Sequence, residues 1–126
     1  MNGEKARPRD YRDLLVWQKG MALAKRIYQI TQAFPRTERF GLVTQMRRAA
    51  VSVPSNIAEG QARNTTGEFI QFLSHAVGSV SELDTQLALS VELGFCPQGK
   101  AQEARSLIME LRKMITSLRR KLSSSS

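Results

Sequence analysis

The chain contains one cysteine, one histidine, one tryptophan and four prolines among 126 residues. A single thiol excludes an intramolecular disulfide and fits a reducing compartment, so a cytoplasmic location is expected. A single histidine removes the Glu-x-x-His pairs from which di-metal centres in helical bundles are built. His75 follows Phe72 at that spacing, not a glutamate, and reads as a packed or rim side chain. Nucleophilic catalysis is equally short of parts. Serines are plentiful, but only one imidazole is available as base, and no G-x-S-x-G elbow occurs. Cys96 stands beside Pro97 with no adjacent cation to lower its pKa, and reads as a small turn residue. The eight glycines are scattered, so no phosphate-cradling loop forms. Neither an enzyme nor a cofactor or metal is expected. No apolar run approaches the ~18–20 residues of a membrane span, and Met1–Asp10 holds no apolar signal segment. Aromatics are sparse at 6%, which leaves stacking on single-stranded bases unsupported.

What the chain does have is positive charge and helical periodicity. The formal net charge is +8, enough to ask about nucleic acid. Residues 1–36 carry eight Lys/Arg against three Asp/Glu, and residues 97–126 carry seven against two. Residues 64–96 reverse the sign, with four acids and no Lys or Arg. That segment must face something other than a polyanion.

Read in order, residues 1–13 form a basic arm containing Arg7, Arg9 and Arg12. The bundle spans residues 14–122, and residues 123–126 are a serine tail. A first helix is predicted from about Asp13 to Ala33, with Val16, Gly20, Leu23, Ile27, Ile30 and Phe34 on one seam. Gly20 and Ala24 would let another backbone come close, while Trp17 and Tyr28 lie off the seam as rim or contact residues. Phe34-Pro35 stops the helix, because the residue before a proline is pushed out of the α region. A second helix is predicted from Thr37 to Gln61. Thr65 and Glu68 form a capping box for a third, which carries Phe69, Ala76, Val80, Leu83 and Leu87 on one face. Gly94 ends it and Pro97 opens a fourth. The fourth has the cleanest repeat: Ala101, Ala104, Ile108, Leu111, Ile115, Leu118 and Leu122. Four helices joined by short turns and no strand-like alternation give an all-α, antiparallel up-down-up-down four-helix bundle.

The second helix holds a conflict. Val43, Met46, Ala50, Val53 and Ile57 form a helical stripe, yet Pro54 sits inside it. A proline there cannot bond the carbonyl of Ala50 and costs ~3 kcal/mol, so a kink is expected, with Ser52, Ser55 and Asn56 placed to help. The run ERFGLVTQMRRAAVSVPSNIAEG, followed by FIQFLSHAVGSVSELDTQL, closely resembles the four-helix-bundle family named for proteins encoded in 23S rRNA intervening sequences. The resemblance covers roughly Tyr11 to Phe95, with Asp84 where the family usually shows glutamate. It brings no enzymatic activity. It implies a ring of bundles, a homopentamer, in which the acidic third helix pairs with basic segments of neighbours. It also brings an RNA-linked genomic context, and basic pentameric relatives that assist reverse transcriptases.

Two groups of residues stand out. Arg47, Arg48, Asn56, Glu59 and Glu82 read either as a recognition site or as a polar network bridging helices two and three near Pro54. Lys19, Lys25 and Arg26 on the first helix, with Arg112, Lys113, Arg119, Arg120 and Lys121 on the fourth, read as one continuous positive face. Such a face would grip RNA or DNA by its backbone with weak sequence preference. The competing function is a protein scaffold that binds an unidentified protein, its charge serving solubility and subunit pairing. No membrane role is expected.

Overall fold

The computed structural model describes residues 10–125 and contains four long helices. We label them α1 (Leu15–Thr31), α2 (Leu42–Gln61), α3 (Thr66–Glu92) and α4 (Gln98–Ser125). Each packs on its chain neighbours, and α4 closes back onto α1, which is the expected antiparallel bundle. No strand occurs among the described residues.

The apolar stripes converge on one core. Leu23, Ile27, Met46, Val53, Ile57, Leu73, Val80, Leu83, Ile108, Leu111 and Ile115 are fully enclosed. Leu118 and Leu122 are only partly buried, because α4 outlasts the 17-residue α1 that packs beside it. The capping box at Thr65 forms: its hydroxyl oxygen accepts from the Glu68 N–H at 3.1 Å and its O–H donates to the Glu68 carboxylate at 3.0 Å. Gly94 takes the left-handed conformation (φ 79°) that ends α3, and the Phe95 and Cys96 N–H groups return to the Ser90 carbonyl.

Three boundaries differ from expectation. Residues 1–9 of the expected arm lie outside the described residues, but Tyr11–Asp13 form a single 3-10 turn capped by Asp10. Tyr11 meets Trp17 edge-on at 5.3 Å, which ties this turn to the core. At the other end, helix continues through the expected serine tail as far as Ser125. Finally, α2 starts at Leu42 and not at Thr37. Arg36–Glu38 make a separate 3-10 turn, Gly41 adopts a non-helical backbone, and the Glu38 carboxylate accepts from the Leu42 N–H at 3.4 Å.

Pro54 is buried inside α2, and the helix runs through it. The position is explained from the other side of the interface. Gly20 of α1 faces the Pro54 ring, and an added Cβ there would meet its atoms at 3.4–3.5 Å, an ordinary packing distance. The small-residue seam read in α1 is therefore where the ring packs. At the far end of α2, Gly60 lies against Phe69 and Phe72 of α3.

Candidate nucleic-acid interface

The five residues expected to share a polar network do not share one. Asn56 donates through Nδ2 to the Ser52 carbonyl at 2.8 Å and the Ser52 hydroxyl at 3.3 Å. The Ser52 hydroxyl in turn contacts the Ser79 hydroxyl, so α2 and α3 are bridged by these three residues. The amide thus serves Ser52, and not the Ala50 carbonyl that Pro54 leaves free. Glu59 pairs along its own helix with Arg63 at 2.7 Å. Glu82 accepts from Gln86 Nε2 at 3.3 Å, also within one helix. The amide oxygen of Gln86 is buried without a partner.

Arg47 points elsewhere. Its Nε donates to the Thr31 hydroxyl at 2.9 Å and its guanidinium covers the Tyr28 ring at 4.4 Å, so it clamps the C-terminal turn of α1. Arg48 is exposed and makes no ion pair among the described residues. It lines an open groove with Tyr28, Thr44 and Val51.

The positive face expected across α1 and α4 is broken by the acids that face it. Lys19 pairs with Glu110 at 3.2 Å and Arg26 with Glu103 at 3.4 Å, which places both cations in the α1–α4 seam. Arg112 and Arg105 reach Asp84 of α3 at 3.7 Å. A face of 3.6-residue period cannot be both solvent-facing and seam-forming, and Lys19 and Arg26, seven residues apart on α1, both fall on the seam. Lys25 remains exposed on the outer side of α1.

Cations do collect on the C-terminal half of α4. Arg112, Lys113, Thr116, Ser117 and Arg120 surround an open groove of about 360 Å³. These positions recur at spacings of one, three and four, so they share one face of the helix. Lys113 and Lys121, with Ser117, also border an adjacent groove that reaches Leu14 and Leu15. Arg119 lies half-buried, its Nε enclosed without a hydrogen-bond partner, and the Nε of Arg112 is in the same state. Lys113 and Arg120 make no ion pair among the described residues. The hydroxyls of Thr116 and Ser117 were not singled out from the sequence, although their spacing from Arg112, Lys113 and Arg120 was legible there.

Cys96 is buried, and burial pushes its thiol above the usual range against smaller lowering effects of Ser90 and Lys100. It is a protonated thiol at neutral pH and a poor nucleophile. No cluster of three metal-ligating side chains occurs among the described residues, and no helix there is long and apolar enough to cross a membrane.

These features define a basic helical-bundle protein whose polar side chains serve helix packing and a cationic surface. The family described as 23S rRNA-intervening sequence protein matches residues 12–117, and the chain belongs to it. A solved structure from Bacteroides thetaiotaomicron, described as a protein of unknown function from the S23 ribosomal protein family, shares the fold. It superimposes with a TM-score of 0.75 at 20% identity, covering 82% of this chain and 97% of that one. No curated protein matches the chain.

Proposed function

We propose that this protein is a non-enzymatic, homo-oligomeric accessory protein that binds nucleic acid through the phosphate backbone. The observation that carries the reading is the one-sided grouping of Arg112, Lys113, Thr116, Ser117 and Arg120 around a single groove on α4. Guanidinium, ammonium and hydroxyl groups together suit phosphate oxygens, and nothing in the groove reads base edges. Binding of this kind is salt-dependent and tolerant of sequence. The family resemblance adds the expectation of a pentameric ring.

A salt titration on duplex DNA and on structured RNA tests it. Log K should fall linearly with log salt, with a slope of about −0.9 per phosphate contacted on duplex DNA. Lys113→Ala with Arg120→Ala should flatten the slope by about 1.8 units. Lys19→Ala with Arg26→Ala removes the same charge from the seam and should change the slope far less. No binding at low salt would leave the competing reading, a protein scaffold, which the bare Phe40 side chain favours.

A further inference from the structure

Phe40 is 88% exposed, the barest of the large apolar side chains among the described residues. It stands in the α1–α2 connection, two residues before α2, with the Arg39 guanidinium 5.6 Å from its ring centre. The turn itself does not need a phenyl group. Glu38 holds the start of α2, and the Thr44 hydroxyl fixes the Arg39 carbonyl. A ring kept in water forgoes the burial that drives the rest of the fold.

On the opposite edge, α3 and α4 leave an open groove of about 430 Å³. Leu87, Ala88, Val91 and Ala101 supply its apolar lining, and Asp84 and Glu92 its acids. Arg105 also lines it but is tied to Asp84 at 3.7 Å, while Glu92 makes no ion pair among the described residues. We infer that Phe40 of one copy seats in this groove of the next copy. The inference rests on the oligomeric reading above and names its interface.

Charge supports the match. Arg36 and Arg39 flank Phe40, are exposed and make no ion pair among the described residues, so they meet Glu92 as the ring enters. Topology supports it as well. The chain order puts the α1–α2 edge opposite the α3–α4 edge of the bundle, so ring and groove cannot meet within one copy. Both lie at the same end, where Phe34 and Phe95 pack at 5.9 Å and join the two connections. A patch and its complement on different sides of one molecule make a heterologous contact. Because the two stand at the same height, successive copies add side by side with little axial rise, and the rotation between them decides whether the contact closes into the ring that the oligomeric reading expects.

The test uses two surface variants, Phe40→Glu and Ala88→Arg, each checked for an unchanged helical circular-dichroism signal, with mass measured by light scattering at micromolar concentration. Each alone should weaken self-association by at least about 30-fold, the effect of losing a well-seated aromatic anchor. Mixed one to one they should form a species of two chains and no more. The Ala88→Arg copy still supplies Phe40, and the Phe40→Glu copy still supplies the groove. A mixture that stays monomeric overturns the proposal, as does full assembly of either variant alone. Assembly that ignores both changes while nucleic-acid binding falls with Phe40→Glu would assign the ring to a nucleobase and also overturns it. A wild-type chain that is itself monomeric removes the oligomeric reading together with this one.

Discussion

Replacing Gly60 with alanine sets two known effects against each other in one methyl group. Gly60 is helical and buried near the end of α2, and alanine there gains about 0.5–1 kcal/mol of helix propensity. The new Cβ would stand 2.7 Å from the Phe72 Cβ, 3.0 Å from the Phe69 Cδ1 and 3.4 Å from the Phe69 carbonyl oxygen. A Cβ and a carbonyl cannot swing aside as a side-chain tip can, so α2 and α3 must move apart. Overpacking of this kind costs about 1–3 kcal/mol. The packing term wins, and Gly60→Ala should destabilise by about 1–2 kcal/mol, or roughly 4–8 °C in Tm for a domain of this size. Gly78→Ala is the matched control. That glycine is exposed in the middle of α3, its Cβ would meet nothing within 4 Å, and the change should stabilise by about 0.5–1 kcal/mol. Urea melts followed at 222 nm, at one fixed protein concentration, report both. If Gly60→Ala is as stable as Gly78→Ala, α2 does not approach α3 so closely and the reasoning fails.

Two further expectations follow from single interactions. Asn56→Ala removes the amide that donates to Ser52, the α2 member of the bridge to Ser79, and should cost about 1 kcal/mol, whereas Glu59→Ala removes only an exposed i, i+4 pair and should cost less than about 0.5 kcal/mol; equal losses in urea melts would contradict this. Cys96 carries a thiol raised by burial, so the folded state favours the protonated form; that contribution is intact at neutral pH and is lost as pH rises through the raised value. The native protein should therefore react slowly with a disulfide reagent at pH 8 and rapidly in urea, and fast reaction of the native chain would refute the buried assignment.

The helices were legible because each carries a stripe that packing could only confirm. Ala101 to Ile115 recur at three and four, and all the stripe positions up to Ile115 are buried. The Gly94 stop and the Thr65 cap were legible for the same reason, since both act within a few residues. The candidate sites depend on which helix a side chain leans toward, and one-helix periodicity does not carry that. Lys19 and Arg26 look solvent-facing until α4 brings Glu110 and Glu103 beside them. Arg47 reaches a hydroxyl 16 residues away, on a helix end that the sequence does not place next to it. Phe40 did leave a signal: it is a large apolar residue just before Gly41 that belongs to no stripe, in a turn that needs none.

The cations run along α4 away from the α3–α4 groove, starting at Arg112, which pairs with Asp84 of the groove lining, and ending at Arg120 and Lys121, and this bears on binding. Phe40 and the α3–α4 groove lie at the end where α4 begins, while Arg112, Lys113 and Arg120 lie toward its C-terminus. A ring joined through the first end would present the cations of every copy on the same side. A polyanion bound there would touch several copies at once, and engaging the second copy would be intramolecular, raising affinity without any new kind of interaction. The monomeric Phe40→Glu variant keeps the α4 groove intact but forgoes this gain. On long duplex DNA its log K against log salt should therefore be shallower than that of the wild type, by about 0.9 for each phosphate it no longer neutralises. On a duplex too short to span two copies, wild type and variant should share one slope. The comparison is made by fluorescence anisotropy across a decade of salt. Equal slopes on the long duplex would mean that each copy binds alone, and the link between assembly and nucleic-acid binding would be withdrawn.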